Sequence, residues 1–274
     1  MLADLKKGEI EMGKAIYWID DNPHVIINIV DGVFSKLWKL DDEEGIETHI
    51  RILGNGGQET RGLRLWEKND EKQFRTAIMQ RFEQLCSNAD KLGEKNIFQK
   101  KSGLISDNII MMYKSPVNDI EEREVEEYRK MYYIWQNNSC KMDGENISIT
   151  NEARDCAEIL LQKMGIEKGA CVGLDMALFH GDIEKVKDEG KPILSMELYH
   201  MIKQTHECFM YSHYMFDKRF IESWKEVYSK AYGDKELPII HKRSELFAKN
   251  VSETLINQLL ELVDKSYKRR EGNL

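Results

Sequence analysis

The chain has 274 residues, with 40 Lys and Arg against 48 Asp and Glu, a formal net charge of −8. That acidic balance argues against a protein that holds nucleic acid mainly by charge, and no stretch approaches the ~20 apolar residues that span a bilayer. The five cysteines (Cys86, Cys140, Cys156, Cys171, Cys208) are scattered, odd in number and form no Cys-x-x-Cys pair, and the opening MLADLKKGEIEMGK lacks the apolar core of a secretory signal. Both features lead to the expectation of reduced thiols in a cytoplasmic protein.

The first apolar run, Ala15-Ile16-Tyr17-Trp18-Ile19, is short and rich in β-formers. It predicts a buried strand ending at Asp20-Asp21-Asn22-Pro23. Residues 24–40 place Ile26, Ile27, Val30, Val33, Phe34, Leu37 and Trp38 at helical spacing. Glu47 to Leu53 alternates and predicts a second strand, with Gly54-Asn55-Gly56-Gly57 as a turn after it. Residues 70–92 and 119–137 predict helices, and Ile109 to Met112 a short strand. Thr150 is an N-cap candidate for a helix over 151–164 that Gly165 would end.

The last third alternates regularly. Strands are expected at 170–174, 207–211 and 237–240, ending at Asp175, Ser212 and His241-Lys242. Helices are expected over 193–204, 217–231 and 244–268. Strands alternating with helices predict a parallel sheet covered on both faces. In such a sheet, ligands bind beyond the carboxyl ends of the strands. Asp20, Asp21, Asp175, Ser212 and Lys242 would therefore meet at one edge. Clustered carboxylates repel one another unless a cation sits among them. An all-oxygen set with open positions suits Mg²⁺. A carboxylate there could attack phosphorus, with the metal and a Lys neutralising the transferring phosphoryl group.

The order of these residues resembles the receiver domain of bacterial response regulators. The matching segments are Ile16-Tyr17-Trp18-Ile19-Asp20-Asp21, Val172-Gly173-Leu174-Asp175, Phe209-Met210-Tyr211-Ser212 and Ile239-Ile240-His241-Lys242. Gly190-Lys191-Pro192-Ile193-Leu194 is similar to the receiver's loop into its third helix. The resemblance implies a flavodoxin-like, doubly wound, five-stranded α/β core over 14–53 and 166–268. A mostly helical insertion would occupy 54–165, because a compact receiver needs only roughly 45 residues between its two acidic strand ends. It also implies Asp175 as phosphoacceptor, Asp20, Asp21 and Asp175 as Mg²⁺ ligands, Ser212 as switch hydroxyl and Lys242 as a phosphoryl contact. The implied role is two-component signalling or phosphorelay. A phosphodonor kinase or phosphotransfer protein would modify Asp175 and so control a protein partner or self-association. At most, the chain would catalyse its own phosphoryl transfer and dephosphorylation. The sequence departs from the family in two places. Arg243 follows Lys242 where the family usually has Pro, and Ile239 and Ile240 occupy the region of the aromatic switch. These departures match divergent, inactive receivers of bacterial conflict systems, in which the fold outlasts phosphotransfer.

Two other readings stand beside this one. The chain could be a phosphorylation-independent interaction module, or a Mg²⁺-dependent phosphohydrolase using the same edge. His200, His206 and His213 do not share a helical face and are not read as a metal site. The 121–130 charge run reads as a solvated helix face, and the basic tail Lys265 to Arg270 as complement to a helix C-terminus.

Overall fold

The computed structural model describes residues 14–34, 36–37, 46–57, 62–64, 67–90, 108–112, 118–178, 182–234 and 236–272. Trp38 and the stretch 96–107 lie outside them, as do the side chains of Phe34, Phe82 and Leu85.

Strand β1 (Ala15–Asp20) is buried along its whole length. Its side chains alternate between two cores. Ala15, Tyr17 and Ile19 join one, and Ile16 and Trp18 join the other. Parallel partners flank it: β2 (Glu47–Ile52) on one side and β8 (Cys171–Asp175) on the other. β9 (Cys208–Ser212) and β10 (Ile239–Lys242) follow beyond β8. Among the described residues the sheet has six strands where five were expected. β5 (Ile109–Met111) pairs in parallel outside β2, giving the order β10-β9-β8-β1-β2-β5. Arg51 and Arg75 hold this added strand. Arg51 donates to the Asn108 carbonyl at 2.9 Å and Arg75 to the Ile109 carbonyl at 2.6 Å.

Helices cover both faces. α1 (Pro23–Ile29), α2 (Lys68–Asp90) and α7 (Glu253–Arg270) pack on the face of Ile16 and Trp18. α3 (Asp119–Asn137), α4 (Asn151–Met164), α5 (Leu194–Ile202) and α6 (Lys218–Tyr232) pack on the face of Tyr17 and Ile19. Elements from 54–165 thus contribute to both layers. Thr150 caps α4 by accepting from the Ala153 N–H, and Gly165 ends it with φ 58°. No described helix is long and apolar enough to cross a membrane. Cys140, Cys156, Cys171 and Cys208 are free thiols.

Four local readings are corrected. The helix expected over 24–40 is α-helical over Pro23–Ile29, widens into a π turn over Val30–Phe34 and is α-helical again at residues 36–37. Asn55–Gly57, expected as a turn, is β3 and pairs antiparallel with β4 (Gly62–Arg64). The last helix starts at Glu253, not 244, because Ser252 caps it and a 3₁₀ turn occupies Arg243–Leu246. A hairpin of β6 (Cys140–Asp143) and β7 (Asn146–Ile149) was not foreseen, although Asp143-Gly144 is a turn signal and Gly144 has φ 60°.

Gly173 sits where β8 crosses the ring of Phe209. A Cβ there would lie 2.5 Å from the ring and 3.2 Å from Trp18. Gly173→Ala is therefore expected to destabilise the fold by about 1–3 kcal/mol in urea unfolding. A neutral result would mean that Phe209 has room to move.

Burial pushes the imidazoles of His49, His200, His206 and His241 below their ordinary 6.5, His49 to about 4. Arg51 adds to the shift at His49 and Glu167 opposes it. Lys203 and Arg154 add to it at His200, Arg269 adds at His206, and Glu245 opposes it at His241. At these four imidazoles the unfolded chain binds more protons than the native one in this window. Their contribution to stability is full above pH ~6.5 and is lost as pH falls toward 4. Urea midpoints at about pH 7 and about pH 5 should differ less in His241→Gln than in wild type. Equal differences would show that His241 does not couple protons to folding.

Candidate functional site

Four polar strand ends stand along the carboxyl edge of the sheet. β1 ends at Asp20, β8 at Asp175, β9 at Ser212 and β10 at Lys242. Ile19 pairs with Leu174, which sets Asp20 and Asp175 on adjacent central strands. Asp21 follows β1, and Asn22 caps α1 by accepting from the His24 N–H, with Pro23 at the first helical position. The polar turn therefore also supplies two of the three carboxylates of the acidic edge.

Asp20, Asp21 and Asp175 are fully buried. One carboxylate oxygen from each lies within 4.8 Å of the others. Asp20 is held on both oxygens: Oδ1 accepts from the Asn22 N–H at 2.8 Å, and Oδ2 accepts from the Tyr211 hydroxyl at 3.0 Å. The same hydroxyl lies 2.9 Å from the Ile19 carbonyl oxygen. Arg243 Nη2 lies 3.0 Å from Asp175 Oδ1 and 3.8 Å from Asp20 Oδ2.

The electrostatics follow from burial. Desolvation pushes the Asp20 carboxyl well above its usual range, and the charge of Asp175 adds to this, while Arg243 opposes it. Desolvation works against the Arg243 charge, but Asp175 and Asp20 outweigh it and hold the guanidinium above its usual value. Burial pushes up the Tyr211 phenol, helped by Asp20 and Asp175, so it stays a donor. Three carboxylates against one guanidinium leave the group negative. A buried acidic triad of this kind could bind a metal ion. Its oxygen-only donors and negative charge fit a hard cation, with Asp20, Asp21 and Asp175 as the ligands.

The other two expected residues have local partners. The Ser212 hydroxyl accepts from the Tyr214 N–H at 2.9 Å and caps the 3₁₀ turn His213–Phe216. Lys242 Nζ lies 3.7 Å from Glu245 Oε1, and its N–H donates to Glu245 Oε2 at 3.1 Å. Of the histidines, His200 stacks on Tyr232, and His206 engages Thr205 and the Glu167 carbonyl. Sequence reasoning missed Tyr211 and treated Arg243 only as a departure from Lys-Pro. Gly32 brings the Arg243 segment in. A Cβ there would lie 2.2 Å from the Leu246 carbonyl oxygen, so only glycine lets the π turn approach the chain after Arg243 so closely.

No family model, no curated protein and no solved structure matches this chain. The chemistry of the site therefore rests on its geometry. Arg243→Met would leave three buried carboxylates without their guanidinium, a loss of about 3 kcal/mol or more near pH 7. Asp20 would then rise further, and the native variant would keep a proton that the unfolded chain releases near 3.8. The deficit should shrink as pH falls toward about 5. Urea unfolding of both proteins at the two pH values measures it, and a deficit that grows as pH falls would mean that Arg243 does not favour the charged Asp20 carboxylate.

Proposed function

We propose that this chain is a receiver-like signalling module in which Asp175 accepts a phosphoryl group beside Mg²⁺. One observation carries the reading: Asp20, Asp21 and Asp175 converge at the carboxyl edge of the two central strands. The strand order supports it, since β2-β1-β8-β9-β10 follows the order of flavodoxin-like sheets, whose ligands bind at that edge. Asp20, Asp21 and Asp175 would hold the ion. Bound Mg²⁺ would neutralise charge on the phosphoryl oxygens. Asp175 would form the new bond to phosphorus as the bond from phosphorus to its donor breaks, the electron pair leaving with the donor. Ser212 would release the Tyr214 N–H and donate to a phosphoryl oxygen, and Lys242 would leave Glu245 to add positive charge. Arg243 would surrender Asp175, which gives the β10 edge two arrangements. A protein partner or self-association would read the difference, with a cytoplasmic kinase or phosphotransfer protein as donor.

A second reading is favoured by the Arg243 contact. A guanidinium 3.0 Å from a fully buried Asp175 stands where a cation would otherwise be needed. In that case the fold serves as a phosphorylation-independent interaction module.

Trp18 can report on the pocket. It is fully buried, and its ring lies 5.9 Å from that of Tyr211, which bonds Asp20. The signalling reading expects saturable Mg²⁺ binding by Trp fluorescence and a further change with beryllofluoride. Asp175→Asn should weaken Mg²⁺ binding about tenfold or more, about 1.4 kcal/mol, and abolish the beryllofluoride response while the chain stays folded by circular dichroism. Mg²⁺ binding without a beryllofluoride response would overturn the phosphoacceptor role. Binding of neither would leave the interaction module.

A further inference from the structure

A second cluster lies at the opposite edge of the sheet. Glu47 opens β2 and His49 stands two residues on, so both side chains project to one face. Their partners on β1 are Ala15 and Tyr17, which place them on the face covered by α4. Glu167 comes from the loop between α4 and β8. One donor atom from each of Glu47, His49 and Glu167 lies within 4.8 Å of the others.

The geometry holds the histidine in place. Its ring stacks on Tyr17 with centroids 4.3 Å apart and planes 3° apart. The Tyr17 hydroxyl donates to the Gly165 carbonyl at 3.1 Å, tying that stack to the loop that carries Glu167. The loop is pinned in turn, because the Glu167 carbonyl accepts from the Ala170 N–H at 3.1 Å and is met by His206 Nε2 at 3.0 Å. His49 is 5% exposed. Its Nε2 is buried without a hydrogen-bond partner and lies 3.4 Å from Glu47 Oε2. Two ligands about 2.1 Å from one tetrahedral ion are about 3.4 Å apart. A buried ring nitrogen and a carboxylate oxygen are thus already spaced as two corners of a coordination shell.

We propose that Glu47, His49 and Glu167 bind a Zn²⁺-type ion, distinct from the aspartate pocket. Imidazole nitrogen with two carboxylates suits a borderline metal, whereas the all-oxygen triad suits a hard one. The two carboxylates balance the charge of a divalent ion. Three protein ligands leave a fourth position open to water or to a donor from another molecule. Arg51 works against the ion electrostatically, but its guanidinium is held by the carbonyls of Met164, Ile50 and Asn108. The bound ion would tie the start of β2 to the loop before β8 and so clamp the amino edge of the central strands.

The test is Zn²⁺ alone, titrated into the full chain by calorimetry, with Co²⁺ absorption as a check on coordination. Wild type should bind one ion at this site and melt at a higher temperature when loaded. Glu167→Gln and Glu47→Gln should each weaken binding by about tenfold or more and lose the thermal shift. These two carry the test because the Glu47 side chain is 43% exposed and Glu167 is half-buried, so neither variant threatens the core as a change at His49 would. Asp175→Asn should keep the Zn²⁺ site. The proposal fails if Zn²⁺ does not bind, if both Gln variants bind like wild type, which would assign the ion to thiols or surface groups, or if Asp175→Asn alone abolishes binding.

Discussion

Strand β1 has no exposed face and no free edge. Its peptide groups have no water to turn to, so each must pair with a neighbouring strand. That requirement brings together β2 and β8, which stand far apart in the chain. It also divides the core, because alternate side chains of one strand must find apolar partners in two helical layers. The same strand carries Asp20 at its carboxyl end and Tyr17 beside His49 near its amino end. Both polar clusters therefore hang on one desolvated element.

Desolvation also decides the chemistry of the carboxyl edge. In water, three aspartates would carry their charges at little cost. Here the carboxyl of Asp20 is driven toward its neutral form, and Arg243, Tyr211 and the Asn22 N–H oppose the penalty. The guanidinium is the group that an arriving divalent cation would displace or share. The edge thus holds one resident counterion among three buried carboxyl groups. Gly32 packs the π turn after α1 directly against the segment that follows β10.

The elements legible in the sequence are those in which local chemistry and burial agree. α3 runs over the residues that the sequence predicted, capped by Asn118, and α4 likewise lies between Thr150 and Gly165. Strand ends at Asp20, Asp175, Ser212 and Lys242 follow from apolar runs stopping at polar residues. Where local signals competed, the reading slipped. The apolar periodicity of 24–40 hid the π turn, since an extra residue per turn changes the hydrogen bonding but not the residue types. The apolar pattern through Leu246 and Val251 ran past the true start of α7, because buried loop residues look like helix residues in a one-dimensional pattern.

The sequence by itself determined the class of the protein, the alternation of strand and helix, and the set of carboxylates available at strand ends. These follow from short-range patterns of apolar and polar residues, which act within a turn or a strand. Only the tertiary structure decided which groups meet. The sixth strand joins the sheet through backbone pairing with β2. Tyr211 reaches Asp20 from the next strand but one, and Arg243 reaches Asp175 across β9. Glu167 comes to His49 from a separate loop. Each of these contacts joins residues distant in sequence through a parallel sheet, whose register is set by burial on both faces and leaves no mark at the residues it brings together.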